Sequence, residues 1–270
     1  MNICKLIDDY LLSEEQREIK SHHPSSITRC QRQLYYGWTK EPISDPIDAG
    51  AILKMKIGNS IHDIINEILV GTGHKVENEI SFKYLLPGSE YPISGRLDNI
   101  ITIDDKKVGI EVKTSFGKGI LKIANNKAPD EEHLWQVMTY LYCTDINDFI
   151  LLYVARDIAF KTAFDVTYKD EAFYVNNDLY MTEADFEEHI IMKLSALEEN
   201  VKFKKVPERD YAVAIKNGEI KDMFQRNSMK YKSDWQCLYC KWTKSCWAEE
   251  CVKYISTDNY ADVVQKLRND

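Results

Sequence analysis

The sequence predicts an α/β protein with a mixed central β-sheet flanked by helices, and three observations carry that expectation. Apolar, β-branched runs on either side of Asp104-Asp105 read as a β-hairpin. The uninterrupted stretch Phe149-Ile150-Leu151-Leu152-Tyr153-Val154 reads as a strand buried on both faces. Helix-period segments alternate with these strands in the order helix, strands, helix, strand, strand, helix. No linker is long enough to divide the chain, so residues 1–270 are expected to form a single domain.

The elements follow in order. Ile3, Leu6, Ile7, Tyr10 and Leu11 have the spacing of an amphipathic helix over Ile3–Ile19. After the break at His22-His23-Pro24, Ser26 is the expected N-cap of a helix carrying Ile27 to Tyr36. Residues 41–50, with two prolines, read as a linker, and 51–70 as a helix in which His62 falls among apolar residues, the setting of a core histidine. Residues 77–84 are an expected strand, 86–89 a turn, and 114–127, rich in Gly and Lys, a mobile loop. Pro129 with Asp130, Glu131 and Glu132 opens a helix through Leu141, the acids lying at its positive end. Strands over 148–155 and 159–167 and a long helix over 183–202 complete the order.

Composition narrows the class. Of 270 residues, 44% are hydrophobic and 29% charged, ordinary values for a globular chain. No apolar run approaches the roughly 18 residues that cross a bilayer, and Met1 to Lys5 lack a secretory apolar region. A cytoplasmic protein with no membrane contact is the expectation. Seven cysteines in a reducing compartment point to metal or cluster ligation before disulfides. The net charge is −8, yet its distribution is uneven. Glu171–Glu199 holds eight acids and one lysine, whereas Val201–Lys232 holds nine Lys or Arg against four acids. Lys113, Lys118, Lys122 and Lys127 form a second basic stretch. Such runs serve either as solvated faces or as phosphate contacts.

The stretch with chemical content is Gly95-Arg96-Leu97-Asp98, then twelve residues, then Glu111-Val112-Lys113. With a two-residue loop at Asp104-Asp105, counting outward sets Asp98 opposite Glu111. Lys113 falls on the same face and Val112 points into a core. Two carboxylates held together repel unless a cation lies between them. Oxygen ligands favour Mg2+ or Mn2+, and a neighbouring lysine can hold a phosphate or orient a water. The competing reading is a solvated cross-strand cluster. Gln136 and Tyr140, four apart, share a helix face.

Near the C-terminus stands Cys237-Leu238-Tyr239-Cys240, with Cys246 after five more residues, a metal-ligand spacing one thiolate short of four. Cys251 would complete a local zinc site. Cys30, with 206 residues between it and Cys237, would complete a long-range one. Spacing does not choose between zinc and iron–sulfur. Cys4 and Cys143 read as buried thiols. Tyr35, Tyr36, Trp38, Trp235 and Trp242 lie near the cysteines in sequence, where they can cover a cluster or stack on unpaired bases.

Taken together, these residues resemble the RecB-type branch of the PD-(D/E)XK nuclease superfamily. They resemble in particular its iron–sulfur members, the CRISPR-associated RecB-like exonucleases and the AddB nuclease domain. The resemblance runs from Cys30 to Cys246. His62 after Gly58 matches the helical histidine motif, Gly95 to Asp98 the G-x-x-D aspartate, Glu111-Val112-Lys113 the E-x-K strand, and Gln136 to Tyr140 the Q-x-x-x-Y helix. Cys30, Cys237, Cys240 and Cys246 match the split four-cysteine pattern of a [4Fe–4S] cluster.

This resemblance implies a restriction-endonuclease-like core whose 30–50 and 233–252 segments form a cluster-binding lobe, the cluster tying N- and C-terminal parts of the chain. It implies that His62, Asp98, Glu111 and the Val112 carbonyl hold Mn2+ or Mg2+. Asp98, Glu111, Lys113, Gln136 and Tyr140 would carry hydrolysis of DNA phosphodiesters, on single-stranded ends and in the 5′→3′ direction. Alternatives sharing the motifs are an endonuclease, a CRISPR-adaptation-type trimming nuclease and a non-catalytic DNA-binding module. Recombination or CRISPR-adaptation proteins are the implied partners.

Overall fold

The computed structural model describes residues 2–13, 19–221 and 233–253. Helices α1 (Ile3–Leu12) and α2 (Gln31–Trp38) precede the long α3 (Ala49–Gly71). Strands β1 (Lys75–Tyr84), β2 (Ile93–Ile103) and β3 (Lys106–Ser115) follow, then α4 (Gly117–Asn126), α5 (Glu131–Cys143), β4 (Asp148–Ala155) and β5 (Lys161–Lys169). Strands β6 (Ala172–Val175) and β7 (Asp178–Thr182) lead into α6 (Glu183–Lys202). The chain divides into two compact units. One holds residues 1–28 and 48–198, the other residues 29–47 and 199–270.

In the larger unit, β1 to β7 form a seven-stranded sheet in sequence order. Every pairing is antiparallel except β3 with β4, which run parallel. A parallel neighbour needs a crossover, and α4 with α5 supplies it. One sheet face packs Phe149, Leu151 and Phe164 against Leu134, Val137 and Met138 of α5 and Phe186 of α6. The other packs Ile101, Ile110 and Val112 against Ile65 and Leu69 of α3. The sheet is thus covered by helices on both faces, the arrangement a chain needs to bury a run like 149–154.

The β2–β3 turn is the two-residue loop expected. Ile103 pairs with Lys106, and Asp104 and Asp105 take φ of 49° and 61°, the left-handed pair of a type I′ turn. Two expectations need correction. Residues 114–127 are not a loop: β3 continues to Ser115, and α4 buries Gly117, Ile120 and Ile123. Ser26 does not cap the next helix. It closes a short 3-10 turn over Pro24–Ser26, and α2 starts at Gln31 with Cys30 at the N-cap. Residues 14–18 of the first expected helix, and Arg226, Lys230 and Lys232 of the basic run, lie outside the described residues.

The smaller unit pairs β8 (Ala214–Lys216) with β9 (Glu219–Lys221) and adds α7 (Trp235–Leu238), α8 (Thr243–Cys246) and α9 (Ala248–Lys253). Its apolar cluster is small: Val213, Ile215 and Trp247, with Cys237, Cys246 and Cys251 packed against them. Trp242 Nε1 donates to the Glu41 carbonyl at 2.9 Å, and the Ser44 and Asp45 amides donate to the Lys241 carbonyl. The two stretches of chain are stitched by these bonds rather than by a broad core.

Candidate active site and cysteine pocket

Asp98 lies where two strand pairings fail together. On the β1 side, Asn78 pairs with Asn99 and Ile80 with Leu97, but Glu79 between them takes φ 53°. That left-handed conformation costs a residue with a side chain about 1–2 kcal/mol. On the β3 side, pairing stops at Asn99 with Ile110. The strands part there, and the Val112 amide donates instead to Asp98 Oδ2 at 2.9 Å. His62 Nδ1 lies 3.1 Å from the same oxygen. The Asp98 hydrogen bond holds His62 above its usual pKa, against the opposing effect of burial. Gly58, one turn before His62 on α3, explains the approach: a Cβ there would come within 3.2 Å of Thr114 Oγ1.

Glu111 projects from β3 into the α5 side of the sheet and is 3% exposed. Its Oε1 accepts from Lys113 Nζ at 2.7 Å and from Gln136 Nε2 at 2.8 Å. Its Oε2 is buried with no hydrogen-bond partner. Burial pushes the carboxyl up to about 7; the Lys113 charge opposes this and the Asp98 charge adds to it. Gln136 Oε1 accepts from Lys113 Nζ at 2.7 Å, and Gln136 Nε2 also donates to the Tyr140 hydroxyl at 2.6 Å. Two of the three Lys113 donors are therefore taken, one by each neighbour. Tyr140, its phenol raised in pKa chiefly by burial, donates to the Arg96 carbonyl at 3.5 Å.

The expected side chains fall into two hydrogen-bonded groups, His62 with Asp98 and the Val112 amide, and Glu111 with Lys113, Gln136 and Tyr140, which meet through the β3 backbone at Val112. Two further residues stand beside Lys113. Tyr153 pairs with Lys113 across the parallel β3–β4 ladder, and its hydroxyl lies 3.1 Å from His133 Nδ1. Burial first, and the Lys113 charge second, pull the His133 imidazole down to about 3, so it is neutral near pH 7. His133 lies three residues before Gln136, the helical spacing of one face, and that spacing was the available signal. Tyr153 had none, because only the strand pairing brings it beside Lys113.

As the side chains stand, no three His, Cys, Asp or Glu among the described residues converge to hold a metal ion. The donor set nonetheless fits a hard divalent cation. Glu111 Oε2 is an unpartnered carboxyl oxygen in the interior, a second carboxylate is close enough to perturb it, and His62 can add nitrogen. Protein donors occupy Asp98 Oδ2 and Glu111 Oε1.

In the smaller unit, Cys30, Cys237, Cys240 and Cys246 line one pocket, with Arg32 and Tyr36 among the other lining residues. Burial pushes the Cys237 thiol up to about 12, and the proximity of Cys30, Cys246 and Cys240 adds to the rise. Thiols so placed resist ionisation unless a cation compensates. Cys251 does not line the pocket; it packs on the Val213–Trp247 cluster. Tyr36 lines this pocket, and its ring lies 6.0 Å from that of Trp242. Cys143 is part-buried and Cys4 exposed, the latter against expectation.

No family model matches the sequence, and no curated protein does. Among solved structures, the protein SSO0001 is similar with a TM-score of 0.52 at 20% identity, over 91% of this chain and 96% of that one. LHK-Exo, an alkaline exonuclease from Laribacter hongkongensis, was solved in complex with dAMP. It is similar with a TM-score of 0.50 at 14% identity, over 70% of this chain and 93% of that one. The mixed sheet with helices on both faces is therefore a fold that this chain shares with LHK-Exo.

Proposed function

We propose that this chain is a metal-dependent DNA exonuclease of the PD-(D/E)XK type, hydrolysing phosphodiester bonds at single-stranded ends in the 5′→3′ direction. The observation that carries the reading is Glu111: a carboxylate with one unpartnered oxygen, beside Asp98 and Lys113, where two strands separate. The fold shared with an exonuclease crystallised with a deoxynucleotide supports DNA as the substrate. Polarity and strand preference rest on the motif resemblance.

Asp98, Glu111, the Val112 carbonyl and His62 would hold Mn2+ or Mg2+, which supplies Lewis acidity that offsets phosphate charge and acidifies the attacking water. Lys113 does the rest of the electrostatic work. Glu111 and Gln136 each take one of its donors. The third is left to contact a phosphate oxygen or the water, where it stabilises the charge that develops on phosphorus. Gln136 and Tyr140 are positioning residues that keep the ammonium in place. Cys30, Cys237, Cys240 and Cys246 would hold a [4Fe–4S] cluster whose contribution is a structural tie. That Cys30 lines the pocket and Cys251 does not favours this set over a local zinc site.

A labelled single strand blocked at either end and incubated with Mn2+ tests the reading. Products should come from the open 5′ end, stop with a chelator, and fall about 10²–10³-fold in rate in Lys113→Ala while the strand still binds. No cleavage of any DNA with Mn2+ or Mg2+ would sink the proposal.

A further inference from the structure

Directly beyond the Glu111-Val112-Lys113 strand stands Phe116, an aromatic side chain 57% exposed. The ring lies three residues beyond Lys113 of the candidate centre. The surroundings hold the ring in place. Arg156 places its guanidinium carbon 5.1 Å from the ring centroid, a cation–π contact. That arginine is itself fixed: its amide donates to the Ser115 carbonyl at 3.0 Å and its NH1 to the Lys54 carbonyl at 3.2 Å. Its Nε is buried and has no hydrogen-bond partner. Behind Phe116, the Gly117 amide donates to Asp157 Oδ1 at 2.6 Å, and a Cβ on Gly117 would strike Ile158 at 2.5 Å. The α4 helix begins here with Lys118 and Lys122 exposed. No acidic residue occurs between Glu111 and Asp130.

From these placements we infer that Phe116, backed by Arg156, is a stacking platform for an unpaired nucleobase of the strand being cut. The inference rests on the nucleic-acid reading of the neighbouring site and specifies how that substrate is held. Three residues of extended chain span about 10 Å, the length of roughly three stacked nucleotides. The stacked base therefore belongs to a nucleotide close to the scissile bond. A planar ring offering one face recognises any base and no particular sequence. A base still paired in a duplex has both faces occupied, so the platform selects strands whose bases are unstacked. Lys118 and Lys122 supply the phosphate contacts that a ring does not.

The test deletes either member of the stack. Abasic sites are placed in turn at the positions flanking the scissile bond, and KM and kcat are compared for the wild type, Phe116→Ala and Phe116→Trp. On the complete strand, Phe116→Ala should raise KM about tenfold, and Phe116→Trp should restore it. On the strand abasic at the stacked position, wild type and Phe116→Ala should agree, since the partner is already gone. Without divalent metal, a 2-aminopurine strand should be quenched by wild type and Phe116→Trp but not by Phe116→Ala. Equal KM values for Phe116→Ala and wild type on the complete strand, with cleavage intact, would overturn the platform and leave the nuclease reading standing. A wild-type protein that neither binds nor cuts any strand would remove both.

Discussion

A buried hydrogen-bonding atom without a partner costs about 1–3 kcal/mol, and Glu111 Oε2 is such an atom beside a second carboxylate. The surrounding chain offers Lys113 and Gln136 to the other oxygen only. An ion that satisfies Oε2 binds the folded state and not the unfolded one, so it stabilises the fold by mass action. At about 100 times its Kd that gain is about 2.7 kcal/mol, which for a chain of this size raises the melting temperature by about 5 °C or more. Mn2+ should give this shift in the wild type by differential scanning fluorimetry, and none in Asp98→Ala or Glu111→Ala. An unshifted wild type would show that Oε2 is not a cation ligand, whatever the cleavage assay gave. The spacing of Asp98, Glu111, Lys113, Gln136 and Tyr140 was readable because all five sit in regular elements, where period translates into direction. His62 was readable as an apolar-face histidine, and only the split between β2 and β3 shows why it meets Asp98. His133 carried the helical spacing to Gln136, whereas Tyr153 enters through a parallel pairing that no local pattern encodes.

Elements with strong periodicity or a specific turn were legible: the β2–β3 hairpin, β4 and α6 all fall where the pattern put them. Helix α4 was hidden by Gly117, Gly119 and two lysines, although Ile120 and Ile123 carried the helical spacing and are buried. Strands β6 and β7 were missed because their signal is the Asn176-Asn177 turn, both residues at positive φ. One long-range bond network, invisible in any local pattern, fixes the edge of this sheet unit. His22 Nε2 lies 2.8 Å from Glu198 Oε1 of α6. The same carboxylate accepts from Ser89 Oγ and from the Glu90 and Tyr91 amides of the β1–β2 turn. Burial lowers the His22 pKa, so its neutral form is the folded one, and the stability it brings is present above pH 6.5 and lost as pH falls through the lowered value. Burial works against the Glu198 carboxylate, yet its hydrogen bonds with Ser89, Glu90 and His22 together hold its pKa below the usual range. Its share is present above about pH 4.5 and is lost on further acidification. The melting temperature should therefore fall in two overlapping steps, the His22 step below pH 6.5 and the Glu198 step below about pH 4.5. Glu198→Gln should cost about 1–3 kcal/mol at pH 7 and flatten that acid limb; an unchanged slope would show that the network does not titrate.

At the scale of the molecule, the two units differ in what can hold them together. The larger owns an extensive core that runs from Ile93 and Leu97 through Phe149 to Phe186 and Leu194. The smaller has Val213, Ile215 and Trp247, with helices α7 and α8 of four residues each, far below the length at which helices hold on their own. It is also assembled from two stretches, with residues 48–198 belonging to the larger unit between them. A unit of that kind needs a staple, and the four-cysteine pocket lies where one would join Cys30 to the C-terminal stretch. The cysteine spacing was legible but left Cys30 and Cys251 both open as the fourth ligand; only the family resemblance pointed to Cys30, which stands at the head of α2 and lines the pocket with the other three. If a cluster is the staple, protein purified without oxygen should be brown, with iron and sulfide bound. Cys30→Ala and Cys237→Ala should lose colour and iron, and Cys251→Ser should keep both. Oxidative loss of the cluster should melt the smaller unit, read as protease cleavage within 199–253, while the larger unit keeps its unfolding transition. Colourless protein with stoichiometric zinc, retained in Cys30→Ala and lost in Cys251→Ser, would move the staple to the C-terminal stretch alone and leave residues 29–47 held by hydrogen bonds such as Trp242 to Glu41.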